Sequence, residues 1–170
     1  MKKLLPVLFA LLLTSAAFSQ KPYEVLVEKP NEKTYKGIIS KEILLADTSF
    51  SWYTANTKGY KAYPAAVTNL KKQADSVQLL VFMGTWCEDS HFIIPKLFSL
   101  ADTAGFSADR ITLVGVDRNK KTTSHLSEAL NITNVPTIIV YKNGKEYGRV
   151  VEYGKQGLFD KDLAEILGGL

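Results

Sequence analysis

Residues 78–101 read QLLVFMGTWCEDSHFIIPKLFSLA, and this stretch decides the fold. Residues 78–83 form a dense apolar run, which is typical of a buried strand. From residue 87 onward the large apolar side chains recur at helical spacing. They are Phe92, Ile93, Leu97 and Leu100. The sequence therefore predicts a strand over 78–83 and a helix over 87–101, with Cys87 where the helix begins.

The alternation of strands and helices continues on both sides of this stretch. Further helices are predicted over 64–74, 123–130 and 158–167, and further strands over 111–116, 135–141 and 148–153. The 123–130 helix has Ser or Thr available as a cap. Asn143-Gly144 predicts a hairpin, because both residues tolerate positive φ. We therefore expect an α/β fold with one central mixed β-sheet flanked by helices.

Residues 20–63 precede this regular pattern. We expect them to form an N-terminal extension that packs on a domain over residues 64–170. Within the extension, 22–30 alternates as a strand ended by Pro30, 34–46 fits a strand or strand pair, and Asp47-Thr48-Ser49 predicts a capped helix over 50–55. Aromatic residues follow at Phe50, Trp52, Tyr53, Tyr60 and Tyr63. Core packing is their simplest interpretation, and a peptide-binding surface is the alternative.

Residues 1–19 have the three-part pattern of a secretory signal peptide. Lys2 and Lys3 precede an apolar run over 4–13, and the small residues Ala17 and Ser19 flank the expected cleavage point. An uncleaved anchor is the alternative, but the run is shorter than the roughly 20 residues of a membrane span. We therefore expect export to the periplasm or cell envelope, with an extracellular location as the weaker option, and no stable membrane insertion after cleavage.

The charge balance gives no support for nucleic acid as a partner. The chain has 21 basic and 17 acidic side chains, a formal net charge of +4. Removal of Lys2 and Lys3 with the signal peptide leaves +2. A nearly balanced chain without a basic cluster gives no indication of nucleic-acid binding.

Cys87 is the only cysteine of the chain. No internal disulfide can form, so any disulfide must join Cys87 to another molecule. One Cys and two distant His residues do not make a metal site, and we expect neither a metal nor another cofactor.

Four segments, in their order and spacing, resemble the thioredoxin family. They are LLVFMGTWC at 79–87, Pro95 eight residues after Cys87, VGVD at 114–117 and VPTIIVYKNGK at 135–145. The resemblance covers residues 64–169. It implies a thioredoxin-like fold, thiol-disulfide exchange, and partners that are disulfide- or thiol-containing proteins or small thiols.

The resemblance also implies an active-site motif. Cys87 is the expected reactive residue, and the residues around it are Trp86, Glu88, Asp89, Ser90 and His91. A helix N-terminus favours a thiolate at Cys87. The implied substrate-binding segment is Val135, Pro136 and Thr137, with a cis peptide before Pro136 that lets the Val135 backbone pair with a bound peptide.

Two departures from the family motif restrict the chemistry. Ser90 stands where the family has its second Cys, and a hydroxyl cannot resolve a mixed disulfide. Val81 stands where the family usually has a buried Asp that helps to deprotonate that Cys. Dithiol reduction or oxidation by this chain alone is therefore not expected.

The charges beside Cys87 have opposing effects. Glu88 and Asp89 stabilise the first helical turn but disfavour a thiolate. They either influence partner choice or are simply residues of a helix start. His91, if protonated, opposes them; it could also bond the thiolate or move a proton, although a lone His is more often structural.

Two functions follow from these residues. The first is an exported monothiol protein that forms mixed disulfides through Cys87, as an oxidoreductase or isomerase that works with an external thiol. The alternative is a redox-inactive peptide-binding module in which Cys87 is vestigial. A peroxide-reducing thiol ranks last, because the peroxidase motif is missing.

Overall fold

The computed structural model describes residues 21–29 and 32–170. The predicted signal peptide and Pro30 lie outside these residues. In the part that is described, no helix is both long and apolar enough to cross a membrane.

Six strands form one mixed sheet. The strands are β1 Tyr23–Lys29, β2 Glu32–Ile39, β3 Val77–Met83, β4 Ile111–Gly115, β5 Thr137–Lys142 and β6 Lys145–Val151, in the spatial order β1-β2-β4-β3-β5-β6. Only β3 and β4 run parallel, while the other neighbours are antiparallel. Asn143 and Gly144, with φ values of 53° and 73°, form the predicted hairpin. The predicted central mixed sheet is confirmed.

In the described part of the chain, six α-helices flank the sheet. They are α1 Lys41–Ala46, α2 Trp52–Thr57, α3 Pro64–Lys72, α4 Glu88–Ala104, α5 Leu126–Ala129 and α6 Phe159–Gly168. α4 contains Pro95 and ends at Gly105, which has the left-handed conformation typical of a C-terminal cap.

The sequence predictions for residues 34–46 and 123–130 are wrong. The prediction of strand over all of 34–46 fails after Ile39, because the Ser40 side chain accepts a hydrogen bond from the Ile43 N–H and caps α1. The single helix over 123–130 is instead a 3₁₀ turn, Thr123–His125, followed by α5. Ser124 and His125 have positive φ, and no side chain caps either segment.

The two faces of the sheet bury cores of different size. On one face, Val81 of β3 lies in a large core with residues of all helices except α5. On the other face, Phe82 packs in a smaller core with Val114, Val116, Ile132, Val135 and Ile139. Successive side chains of β3 therefore enter opposite layers, as the period of a strand requires.

The N-terminal extension is part of the same sheet. β2 pairs antiparallel with β4, and Gly37 lies opposite Gly115. Phe50 and Tyr53 are buried in the large core, and Trp52 and Tyr60 pack against it. Tyr63 is the exception among the extension's aromatic residues, because 39% of it is exposed.

Candidate functional site

Cys87 lies in the connection between β3 and α4. Its N–H donates to the Gly84 carbonyl at 3.0 Å, which closes a turn directly after the strand. Cys87 is the N-cap residue of α4, and its side chain is half-buried and makes no capping hydrogen bond. The sulfur is therefore placed at the helix end where unpaired backbone N–H groups concentrate.

The Val135–Pro136 loop faces this sulfur. The Cys87 Sγ lies 3.2 Å from the Val135 carbonyl oxygen, to which the thiol donates a hydrogen bond. The peptide bond before Pro136 is cis, as the resemblance predicts. Thr137 is buried, and its hydroxyl donates to the Asn134 carbonyl at 2.7 Å. Thr137 therefore holds the loop in shape.

Trp86 forms a fixed wall beside the cysteine. Its Nε1 donates to the Val116 carbonyl at 3.0 Å. The indole lies so close to Gly84 that a Cβ at that position would come within 2.6 Å of the ring. The Arg118 guanidinium lies 5.5 Å from the ring centroid, within the range of a cation–π interaction.

His91 is held between the extension and the active-site loop. Its ring stacks on Trp52 with a centroid distance of 4.2 Å and an interplanar angle of 13°. Its Nε2 lies 2.7 Å from the Thr85 carbonyl, which can only accept, so Nε2 carries a proton and donates. Burial lowers the pKa of His91, although the Thr85 carbonyl and Glu88 act in the opposite direction. His91 is therefore mainly neutral at pH 7 and supplies little positive charge to offset Glu88 and Asp89.

Thr85 joins the active-site loop to the extension. Its buried hydroxyl donates to the Lys33 carbonyl at 2.8 Å and accepts from the Tyr35 N–H at 3.1 Å. Both partners belong to β2. Two hydrogen bonds therefore fix Thr85, two positions before Cys87, to the second strand of the extension.

A family model described as Thioredoxin matches residues 59–165, more than half of the chain. This chain belongs to the thioredoxin family. A thioredoxin of Alicyclobacillus acidocaldarius is 29% identical over 97 residues, which cover 56% of this chain and 86% of that protein. A thioredoxin of Staphylococcus aureus is 33% identical over 96 residues, which cover 56% of this chain and 84% of its own.

Solved structures of other thioredoxins are also similar. Thioredoxin f2 of Chlamydomonas reinhardtii is 22% identical, with a TM-score of 0.44 over 60% of this chain and 86% of its own. Together with the family model, the thioredoxin relatives support a function of thiol-disulfide oxidoreductase type, on the thiol or disulfide substrates that the family generally uses.

This thioredoxin-family chain lacks both buried groups that serve a dithiol mechanism. Ser90 is fully buried, and its hydroxyl accepts a hydrogen bond from the Gly84 N–H at 3.2 Å. Val81 is also fully buried and contributes only to the large core. Both positions are thus occupied by well-packed side chains that have no acid–base role.

Tyr153 is a site residue that the sequence analysis missed. Burial and a hydrogen bond with Asp89 raise the pKa of the Tyr153 hydroxyl, and a charge on Cys87 would raise it further. The hydroxyl therefore stays protonated at neutral pH beside the Asp89 carboxylate. Asp89 is half-buried, whereas Glu88 is exposed and lines the cleft beside Trp86.

Trp52 and Thr85 were also missed as partners of the site. Trp52 belongs to no motif, Thr85 lies within the LLVFMGTWC segment at 79–87, and each contacts residues far along the chain. The hydrophobic pattern indicates only that Trp52 packs somewhere, and the stacking on His91 becomes visible only in the folded chain.

Replacing Trp52 with Ala is expected to raise the pKa of His91 toward its ordinary value of about 6.5. The reason is that the lost ring exposes the imidazole to water, which stabilises the charged form. The pKa is measured from the NMR chemical shifts of the ring protons across a pH titration, with exposed His125 as the second signal. Trp52→Phe, which keeps an aromatic ring over His91, is the control. An unchanged His91 titration in Trp52→Ala would contradict this account.

Proposed function

We propose that this chain is an exported monothiol member of the thioredoxin family that forms mixed disulfides through Cys87. The observation that carries the proposal is the position of the Cys87 sulfur, at the start of α4 and 3.2 Å from the Val135 carbonyl of the cis-proline loop. No second cysteine exists in the chain to compete for that sulfur.

In the first step the Cys87 thiol gives up its proton to solvent and its hydrogen bond to Val135. The thiolate attacks one sulfur of a substrate disulfide, and a bond forms between that sulfur and Cys87 Sγ. The substrate S–S bond breaks, and the second substrate sulfur leaves as a thiolate that takes a proton from water. One disulfide has been exchanged for another, so no further oxidant is needed.

Release requires a thiol from outside the chain. The Ser90 hydroxyl cannot attack the mixed disulfide, so a small thiol or another thiol of the substrate must do so. That thiol forms the new disulfide, and Cys87 leaves as a thiolate. This chemistry suits disulfide isomerisation, thiol capture or removal of a small thiol from a protein.

Export is supported by the signal-peptide pattern of residues 1–19. It would place Cys87 in a compartment where substrate disulfides form and persist. The periplasm or cell envelope is therefore the proposed location.

The proposal predicts a stable covalent adduct. Chain lacking residues 1–19 is incubated with a peptide disulfide, and the intact protein mass is followed with time. We expect one peptide to become bound to Cys87 and to remain until a small thiol is added. Cys87→Ser should form no adduct. Its thermal stability is measured as well, and a value equal to that of the parent shows that the variant is folded. Absence of an adduct in the parent chain would refute the monothiol function.

A binding module without redox turnover is the second candidate. The thiol hydrogen bond to Val135 and the apolar Val81 favour it, because the site keeps its shape without acid–base groups for a second sulfur. This function predicts that Cys87→Ser binds unfolded peptides as the parent does, while Trp86→Ala weakens binding. Alkylation of Cys87 as a function of pH separates the candidates, since only the first needs a thiolate near neutral pH.

A further inference from the structure

A mostly apolar pocket of about 420 Å³ lies on the side of the domain where the end of the extension meets α4 and α6. Its volume falls in the range of small-molecule sites, roughly 300–1,000 Å³. The walls that matter here are the rings of Tyr60, Tyr63, Phe92, Tyr153 and Phe159. Phe92 and Tyr153 are in contact, with ring centroids 5.8 Å apart. Tyr60 and Phe159 form a second pair, with centroids 6.3 Å apart, so two aromatic pairs line the cavity.

Three lysines surround this aromatic pocket, namely Lys61, Lys96 and Lys161. The Lys96 ammonium lies over the rings of Phe92 and Tyr60, and that of Lys161 over Tyr63. Within residues 21–29 and 32–170, none of the three forms an ion pair with a carboxylate. Burial lowers the pKa of Lys96, although the Asp160 carboxylate acts against this.

Asp160 supplies the carboxylate in the pocket lining, and hydrogen bonds within the protein already occupy it. Asp160 is buried, and its Oδ2 accepts from the Tyr60 hydroxyl at 2.8 Å and from the Tyr63 N–H at 3.0 Å. The lining thus contains three ammonium groups and one carboxylate, and that carboxylate holds the pocket wall together. The pocket combines an apolar interior with an excess of positive charge at its rim.

We propose that this aromatic pocket binds a small organic carboxylate with an apolar body, which inserts among the rings while its charged end meets the lysines. The apolar body gains by leaving water, and the carboxylate forms charge-assisted hydrogen bonds with the ammonium groups. Cys87 itself does not line the pocket, and Tyr153 is the wall residue that lies nearest to the chemistry of Cys87.

The test uses three probes with the same phenylalkyl body: phenylbutyrate, phenylbutanol and phenylbutylamine. Binding to the chain without residues 1–19 is measured by titration calorimetry at low salt. We expect phenylbutyrate to bind about tenfold more tightly than the alcohol, a difference of about 1.4 kcal/mol, because only the carboxylate pairs with the ammonium groups. The amine should bind most weakly. The preference for the carboxylate should shrink at high salt because the rim charges are screened.

Three variants test whether the probes bind in the aromatic pocket. Lys96→Gln should weaken phenylbutyrate binding about fivefold and leave phenylbutanol unchanged, as expected for the loss of one ammonium partner. Lys71→Gln, which removes an exposed lysine at the end of α3 away from the pocket, should change neither probe. Cys87→Ser should bind all probes as the parent does. Equal affinity for the three probes, no binding of phenylbutyrate, or loss of binding in Cys87→Ser would each overturn the proposal.

Discussion

Replacing Ser90 with Cys is expected to convert the single-thiol site into one that closes its own disulfide. Ser90 lies three residues after Cys87 in the first turn of α4, and the two residues differ by one atom in the side chain. After attack on a disulfide, the sulfur that Ser90→Cys introduces would displace the substrate from Cys87. Because an intramolecular thiol acts at an effective concentration of about millimolar or more, the adduct lifetime should fall by about a hundredfold or more.

The measurement is the intact mass of the protein after reaction with a peptide disulfide. The parent chain should carry the bound peptide. Ser90→Cys should carry no peptide, and its mass should be lower by two hydrogen atoms than that of its own reduced form. Ser90→Ala provides the control for loss of the hydrogen bond from the Gly84 N–H and should keep the long-lived adduct. A Ser90→Cys adduct that lasts as long as that of the parent would show that position 90 cannot reach the sulfur of Cys87.

The elements that the sequence predicted correctly depend on local chemistry. The apolar run before Gly84 and the helical spacing after Cys87 produce β3 and α4, because each run buries its apolar side chains at the period of its own element. Asn143 and Gly144 produce the hairpin because both adopt positive φ. Cys87 and Val135 are 48 residues apart, and the resemblance to thioredoxins brought them together correctly.

The features that the sequence did not predict depend on contacts between distant segments. Nothing local indicates that Trp52 stacks on His91 or that Thr85 bonds two groups of β2. Tyr153 was placed in a strand, but β6 ends at Val151 and Tyr153 follows in a turn. After that strand end, the Tyr153 ring packs beside Phe92 of α4, with centroids 5.8 Å apart.

Gly115 is the position where the largest loss of stability is expected. An added Cβ would lie 2.1 Å from the Tyr35 carbonyl oxygen and 2.9 Å from its carbonyl carbon. Both atoms belong to the backbone of β2, which cannot move aside without breaking its pairing with β4. Gly115→Ala should therefore lower the free energy of unfolding by about 3 kcal/mol or more, at the upper end of what overpacking causes.

Gly148→Ala is the matched control, because Gly148 also lies in a strand and an added Cβ there meets only the Ile166 side chain, at 3.1 Å or more. Ile166 can adjust, so this variant should lose less than about 1 kcal/mol. Free energies of unfolding are obtained from urea titrations monitored by far-ultraviolet circular dichroism.

Gly115→Ala should also weaken the hydrogen bonds between Thr85 and β2. The pKa of His91 should rise as a result, because His91 bonds to the Thr85 carbonyl. Equal stability of the two variants would mean that β2 is not held against β4, and that the extension does not support the site.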